Sequence, residues 1–303
     1  MIERIHLNIL REIERKGSLT AAAVALNLTQ PALSHTIKKL EHRIGTRLWT
    51  KEGRQLRFTQ AGDFLLKEAN RLLPQFERVD EVMDEFATGG KGVIKIGMEC
   101  HPCYQWLLRV VEPFLNQWPG VDIDVKQRFR FGGMAALYNH EIDILVTPDP
   151  IQKNGISFLP VFDYEQVLVL NKDHPLAGKE YARAQDLSDL VLYTYPVEVE
   201  RLDVYKEFLI PASCSPKKRK VLEATEIMLQ MVAAGRGVAT LPKWLVNEYS
   251  SKLPITSLRL GEMGIAKKIH LGVRDDDRDS GLASEFLALA KTIQATSTST
   301  SVK

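Results

Sequence analysis

Three short helices predicted within the first 45 residues constrain this chain more than any other sequence feature. Apolar residues recur at helical spacing over residues 2–16, and Gly17 ends that helix. Alanine and leucine fill residues 19–26, which suits a second helix built for close packing. After a short turn, Thr29 begins a third helix that runs to about Arg43. This order predicts a helix-turn-helix.

A wing and a long helix follow the three short helices. Residues 47–58 alternate charged and apolar side chains around a glycine, which predicts a β-hairpin. Thr59 can cap a helix over residues 60–86, interrupted only by Pro74. Its apolar residues recur at near-heptad spacing and acidic residues cover the rest, so a partner helix is the expected mate.

Charge is distributed unevenly along the chain, although the net charge is only +2. Residues 1–60 hold 11 Lys and Arg against 5 Asp and Glu, whereas residues 61–88 hold 3 against 7. A basic block before an acidic helix indicates that the first 60 residues meet a polyanion. A solvated charged face is the competing explanation for the same asymmetry.

The composition excludes several classes of protein. A chain of 303 residues with 45% hydrophobic and 26% charged residues predicts about two globular domains. We expect no membrane span and no secretory signal, because no apolar run is long enough. Three cysteines are too few for a disulfide scaffold, so a cytoplasmic location is expected. No nucleotide-binding loop, nucleophile elbow or zinc-protease motif occurs, so we expect no enzyme.

Strands and helices alternate from Val93 onward. The alternation predicts an α/β body with mainly parallel sheets, arranged as two small lobes. A ligand of such a body lies at the carboxyl ends of the strands. The last residues, 295–303, form a low-complexity segment and are expected to be a disordered tail.

The pattern over residues 17–62 resembles the DNA-binding domain of LysR-type transcriptional regulators. The matching residues are Gly17, Ser18, Ala21, Ala22, Leu26, Gln30, Pro31, Ala32, Ser34, Leu40, Glu41, Gly45, Leu48, Thr59 and Gly62. The resemblance implies a winged helix-turn-helix with a long linker helix, followed by a two-lobed α/β effector domain like the periplasmic binding proteins. His35, Trp49 and Lys51 depart from the common family pattern, and a histidine offers at most one or two ring hydrogen bonds where a bidentate arginine is common.

Four separated blocks resemble the methionine-biosynthesis regulators within that family. The blocks span residues 96–107, 162–177, 195–212 and 229–242. This resemblance implies activation of methionine-pathway genes, with homocysteine as co-effector and no other cofactor. A LysR-type regulator of another amino-acid or sulfur pathway is the alternative.

The resemblance also sets the expected domain boundaries. These are a DNA-binding domain at 1–59, a dimerisation helix at 60–87, a hinge at 88–92 and an effector domain at 93–294. Within the effector domain, 93–162 and 268–294 form the first lobe, and 163–267 form the second. The expected partners are double-stranded DNA, RNA polymerase and further copies of the chain, as a homodimer through the linker helix and then a homotetramer.

Candidate DNA contacts lie on the third helix, at helix starts and on the wing. A helix that enters the major groove presents polar or basic residues at its N-terminal end, opposite its apolar face. Hydroxyls at helix starts suit phosphate, and wing cations suit phosphate or the minor groove. The candidates are Ser18, Thr20, Thr29, Gln30, Pro31, Ser34, His35, Lys38, Arg47, Lys51 and Arg54.

The run Glu99-Cys100-His101-Pro102-Cys103 at a strand-to-helix junction has four competing interpretations. It can be a redox pair, a metal site, a small-residue turn, or a ligand wall. As a ligand wall, it offers N–H donors to an amino-acid carboxylate and Glu99 to the ammonium group. The metal interpretation lacks an evident fourth ligand, so we expect no metal.

Other candidate ligand residues follow strand ends or begin helices. Arg201 is a candidate carboxylate clamp. Each of these residues alone also suits a capping or packing role, and their convergence on strand ends favours a pocket. The set comprises Thr147, Tyr195, Arg201, Thr225 and Thr240. Two further classes of function remain open, a solute-binding protein and a thiol-redox protein.

Overall fold

The computed structural model describes residues 2–52, 55–88, 92–126, 132–279 and 281–299. The described chain forms two compact units. One unit holds the residues up to Val93 together with Gly120–Asp122 and Met134–Ile142, and the other holds the rest.

The N-terminal unit contains the predicted helices and wing. Its elements are α1 (Arg4–Lys16), α2 (Leu19–Ala25), α3 (Gln30–Ile44), β1 (Trp49–Glu52), β2 (Gln55–Phe58) and α4 (Gln60–Thr88). The strands β1 and β2 pair antiparallel, as expected of a wing. Pro74 lies inside α4 without ending it.

Local signals explain where these helices begin and end. The hydroxyl of Ser18 accepts a hydrogen bond from the Ala21 N–H at 3.1 Å and so caps α2. Gly17 and Gly45 end α1 and α3 in the left-handed conformation, at φ 69° and 72°. Apolar faces of all four helices meet in one core that includes Leu10, Leu33 and Leu73.

Strands and helices alternate through the rest of the chain. The first half contains β3 (Val93–Met98), α5 (His101–Gln117), β4 (Asp122–Lys126), α6 (Gly133–Tyr138), β5 (Ile144–Thr147) and β6 (Ile156–Asn171). The second half contains β7 (Tyr181–Ala182), β8 (Val191–Thr194), β9 (Lys218–Val221), α7 (Thr225–Ala233), β10 (Val238–Pro242), α8 (Lys243–Ser250), β11 (Ile255–Leu260), β12 (Ile265–Arg274) and α9 (Gly281–Ser299).

The expectation of mainly parallel sheets is wrong, because the sheet is mixed. The strand order is β4-β3-β5-β12-β6-β10-β8-β9, with β11 beside β6 and β7 beside β11. The long strand β6 runs antiparallel to β10, β11 and β12. A helical crossover makes parallel only the two strands that it joins. This constraint does not apply to β6 and β12, which pair antiparallel.

The central strand β6 is buried on both faces where it carries a continuous apolar run. Val167 and Val169 point into one core with Met228. Leu168 and Leu170 point into the other core. Side chains alternate between the faces of a strand, so an unbroken apolar run requires cover on both sides.

Two lobes share the long strands β6 and β12. The first half of β6 pairs with β12, and its second half lies between β10 and β11. The register of β12 on β6 shifts between Ile269 and His270, close to the expected lobe boundary. The helix α9 continues to Ser299, so the expected disordered tail begins with helical residues. Most of the expected hinge, residues 89–91, lies outside the described residues.

Candidate functional site

The third helix presents a polar face opposite its buried residues. Leu33, Ile37 and Leu40 are fully buried in the core of the N-terminal unit. The residues predicted to read DNA lie on the other side: Gln30, Pro31, His35 and Lys38 are exposed and Ser34 is half-buried. A helix held this way can enter a major groove with its N-terminal side chains toward the bases.

Hydroxyls at the helix starts have the predicted positions. Thr29 accepts a hydrogen bond from the Ala32 N–H at 3.3 Å, and Ser18 caps α2 in the same way. Each hydroxyl keeps its own proton for a phosphate oxygen. Thr20 is exposed in the first turn of α2.

The wing contributes one described candidate cation. Arg47 is exposed, and neither it nor Lys38 forms an ion pair within the described part of the chain. Lys51 lies on β1 but its side chain lies outside the described atoms, and Arg54 lies outside the described residues. The Glu41 carboxylate accepts a hydrogen bond from the Leu48 N–H at 2.7 Å, which ties α3 to the start of the wing.

A cavity of about 140 Å³ lies in the effector domain where several strands end. It is lined by Glu99, Cys100, Pro102, Pro148, Asp149, Tyr164, Gln166, Thr194, Tyr195, Pro196, Val197, Arg201, Leu202, Asp203 and Thr240. Both lobes contribute to this lining. The small volume and the mixture of acidic, basic and hydroxyl groups suit a small polar molecule.

The cavity brings together five of the predicted ligand residues, namely Glu99, Cys100, Tyr195, Arg201 and Thr240. Two more lie directly behind the lining. Buried Thr225 shares a 2.7 Å hydrogen bond with the Tyr195 hydroxyl, and buried Thr147 hydrogen-bonds to Glu99. Cys103 is fully buried, and the side chain of His101 lies outside the described atoms.

Glu99 is a half-buried carboxyl with a raised pKa. Burial raises the pKa of Glu99, and the hydrogen bonds from Thr147 and Gly133 together with the charge of Arg201 oppose this rise. A carboxyl that is costly to ionise in the empty cavity gains from a cationic ligand group, which makes Glu99 a candidate binding residue.

The start of α5 carries a disulfide rather than free thiols. Cys100 and Cys103 are joined through their sulfur atoms. The Cys103 N–H donates to the Cys100 sulfur at 3.1 Å, and Pro102 has no N–H. The first turn of α5 therefore offers a ligand carboxylate fewer donors than the sequence indicated.

The cavity residues that were not predicted as ligand residues include Tyr164 and Gln166 on β6, Thr194 and Asp203. The pKa of Tyr164 is raised by burial and by the charges of Asp203, Asp149 and Glu207, so its hydroxyl remains a hydrogen-bond donor. Strand residues that face a cavity alternate with core residues, and no local signal in β6 separates the two.

A lysine behind the cavity joins two of its acidic residues. The Lys267 ammonium lies 3.0 Å from the Asp149 carboxylate and 2.9 Å from that of Asp203. Its side chain is only 11% exposed. Asp149 follows β5 in the first lobe and Asp203 belongs to the second, so this cation bridges the two lobes.

The described residues form neither a cluster of metal ligands nor a membrane-spanning helix. Over the ranges given above, no three His, Cys, Asp or Glu side chains come together as metal ligands do. In the same ranges, every helix is too short or too polar to cross a membrane.

Two family descriptions match the chain. "Bacterial regulatory helix-turn-helix protein, lysR family" matches residues 5–63. "LysR substrate binding domain" matches residues 87–294, which is more than half of the chain.

Known proteins match the same regions. The HTH-type transcriptional regulator MetR of Escherichia coli K12 is 39% identical over 291 residues, 96% of this chain and 90% of that protein. The MetR regulatory domain of N. meningitidis, NMB2055, is 34% identical, covers 66% of this chain and 93% of its own, and has a TM-score of 0.60. Full-length CbnR complexed with its target DNA shares the fold at 18% identity, covers 95% of this chain and 97% of its own, and has a TM-score of 0.68. The chain, which is similar to MetR proteins over almost its whole length, therefore belongs to the LysR family of transcriptional regulators.

Proposed function

We propose that this LysR-type regulator controls methionine-biosynthesis genes and responds to homocysteine bound in the cavity between its lobes. The cavity is the observation that carries the proposal, since a small space with Glu99, Arg201 and hydroxyl groups suits an amino acid. Likeness to MetR proteins supports the choice of pathway.

DNA recognition is proposed to divide between base contacts and phosphate contacts on α3. The Gln30 amide can hydrogen-bond to adenine, and Pro31 can touch a thymine methyl group. Lys38 is an exposed cation without an ion pair within the described part of the chain, which suits a phosphate.

Two substitutions on α3 are expected to have different effects on DNA binding. Gln30→Ala should reduce discrimination between operator and random DNA by about 1–3 kcal/mol, because a base contact is lost. Lys38→Ala should weaken binding to all sequences alike and make the slope of log K against log salt shallower by about 0.9. Fluorescence anisotropy over a range of salt concentrations measures both effects. A uniform loss of affinity in Gln30→Ala would contradict its base-reading role.

Effector binding is proposed to use Glu99 for the ligand's ammonium group. The raised pKa of Glu99 has two consequences of opposite sign. Ionising Glu99 costs more free energy in the folded protein without ligand than in the unfolded chain. The neutral carboxyl therefore adds to the free energy of unfolding below pH 4.5, the ordinary pKa, and this contribution is lost as pH rises through the raised pKa. The same ionised form attracts an ammonium group.

The Glu99→Gln variant is therefore expected to lose homocysteine affinity by about tenfold or more, because a charge-assisted hydrogen bond disappears. Its free energy of unfolding should also lack the wild-type decline above pH 4.5. Isothermal titration calorimetry and chemical denaturation over a pH series measure the two effects. Glu198→Gln, at the exposed position that follows the cavity residue Val197, is the matched control. Unchanged homocysteine affinity in Glu99→Gln would contradict the proposed role of Glu99 in binding the ammonium group.

Genome-wide recovery of bound DNA, with and without homocysteine, tests the proposed pathway. We expect occupied sites next to methionine and one-carbon genes and a redistribution of occupancy when homocysteine is added. Sites far from such genes would contradict the methionine assignment, while the family assignment would stand.

Assembly is proposed to begin with a homodimer through α4. This helix exposes Phe76, Val79 and Met83, which recur every three or four residues along one face. Pairing with the same face of a second chain removes these side chains from water. A homotetramer, contact with RNA polymerase and a cytoplasmic location complete the proposal.

A thiol oxidoreductase is the second candidate function, because the Cys100–Cys103 disulfide lies at the cavity. A thiol-reductase assay on the wild-type protein and on Cys103→Ser separates the two functions. Activity that depends on Cys103 would favour the enzyme, and its absence would favour the regulator.

A further inference from the structure

Arg219 on β9 reaches the wall of the cavity although no local pattern marked it. Its Nε donates to the Thr194 hydroxyl oxygen at 2.8 Å. Its Nη2 donates to the carbonyl oxygens of Val197, at 2.6 Å, and Tyr195, at 3.4 Å. One guanidinium thus holds three residues of the segment that follows β8.

That segment forms one wall of the cavity. Thr194, Tyr195, Pro196 and Val197 all line it. Pro196 has no N–H, and beyond the pairing of β8 with β9 the backbone bonds of the segment include Val197 N–H to the Tyr195 carbonyl and Leu222 N–H to the Thr194 carbonyl, both 2.9 Å. The three hydrogen bonds from Arg219 add side-chain support to this wall.

The contact with Arg219 also fixes the role of the Thr194 hydroxyl. Thr194 is 3% exposed, and its oxygen accepts from Arg219. A hydroxyl that accepts through its oxygen still has one proton to donate. In the described part of the chain no acceptor is bonded to that proton, and the cavity is where an acceptor can be supplied.

The charge of Arg219 is not neutralised locally. All three of its partners are neutral oxygens, and no carboxylate of the described residues forms an ion pair with it. A half-buried cation without a counter-ion stabilises an anion placed nearby. Glu99, Asp149 and Asp203 give the cavity its acidic groups from other segments, and the Lys267 ammonium pairs with Asp149 and Asp203.

We propose that Arg219 is a positioning residue that holds the Thr194–Val197 wall and presents the Thr194 hydroxyl to the carboxylate of the ligand. This inference rests on the proposed amino-acid effector. It moves the carboxylate away from the first turn of α5, where Cys103 N–H is already bonded to sulfur. The ammonium group remains with Glu99.

Ligand affinities of the full-length protein test the proposal. The probes are homocysteine and its decarboxylated analogue, aminopropanethiol, titrated by calorimetry. Thr194→Val should lower homocysteine affinity about tenfold or more, because the charge-assisted hydrogen bond from the hydroxyl to the carboxylate is lost. Arg219→Met should lower it to a similar extent, because the Thr194 hydroxyl is no longer held toward the carboxylate and the nearby positive charge is gone. Both should leave the affinity for aminopropanethiol within about twofold of wild type. Arg219→Lys keeps the charge but loses the forked geometry, and it should recover part of the loss.

Controls separate this role from a merely structural one. Lys218→Met removes an exposed charge from the same strand and should bind both probes as wild type does. Thermal unfolding and operator binding without ligand show whether each variant is folded. An equal loss of affinity for both probes in Arg219→Met, or no loss for homocysteine, would overturn the inference. A wild-type protein that binds no homocysteine would instead contradict the proposed function.

Discussion

Gly62→Ala is expected to weaken operator binding by at least about tenfold while leaving the effector domain intact. A Cβ at position 62 would lie 2.9 Å from the Leu48 carbonyl carbon and closer still to its oxygen. That oxygen already accepts the Thr59 N–H at 3.0 Å, and the Thr59 hydroxyl donates to the Arg47 carbonyl at 2.7 Å. The methyl group would therefore clash with the backbone carbonyl of Leu48, and this carbonyl cannot move without separating the wing from α4.

Overpacking of this kind costs about 3 kcal/mol, which is a large part of the stability of a small domain. Operator affinity, measured by anisotropy, should fall at least about tenfold. Homocysteine binding by calorimetry should remain as in wild type, since the cavity lies in the other unit. Gly178→Ala is the control, because nothing lies within 4 Å of its added methyl group. Wild-type operator affinity in Gly62→Ala would contradict the prediction.

Lys267→Met is expected to destabilise the effector domain by about 3 kcal/mol, the range for breaking a buried ion pair. The substitution leaves Asp149 and Asp203 facing one another without the cation that bridges them. For a domain of this size the melting temperature should fall by about 6–12 °C. Adding Asp203→Asn should restore part of the loss, because one unpaired charge disappears.

The pH dependence of this contribution follows from the pKa of Lys267. Burial lowers that pKa, but hydrogen bonds to Asp203 and Asp149 and their charges raise it above the ordinary value of 10.5. The stabilisation is therefore complete below pH 10.5 and is lost as pH rises through the raised value.

Lys268→Met is the matched control at the adjacent position. Lys268 pairs with Asp163 at 2.9 Å, but both side chains are more than half exposed. Exposed pairs contribute about 1 kcal/mol or less. Calorimetric scans should therefore separate the two variants clearly, and equal melting temperatures would contradict the buried bridge.

The N-terminal unit is the part of the fold that the sequence predicted best. Its helices begin at Ser18 and Thr29 and end at Gly17 and Gly45, and each of these signals acts on backbone groups within a few residues. The exposed face of α3 follows from helical periodicity in the same way. Among the candidate DNA contacts, the side chain of Lys51 and the residue Arg54 fall outside what the structure describes.

The cavity was predicted only in part. Residues at strand ends, such as Glu99, Tyr195 and Thr240, could be chosen because topology places strand ends together. Tyr164 and Gln166 could not be chosen in this way, since they lie within β6 and no feature of the sequence distinguishes them from the other residues of a long strand. The first turn of α5 was predicted to offer N–H donors, but the hydrogen bond within the Cys100–Cys103 pair uses one of them.

Local chemistry in the sequence alone determined the helices, the wing and the alternating body, because caps, turns and periodicity act over a few residues. Tertiary structure decided the antiparallel pairing of β6 with β12 and the placement of Arg219 behind Thr194. It also decided the bridge from Lys267 to Asp149, which lies 118 residues away. Contacts between residues so distant in the chain produce no periodic pattern in the sequence, because each contact depends on how the whole intervening chain folds.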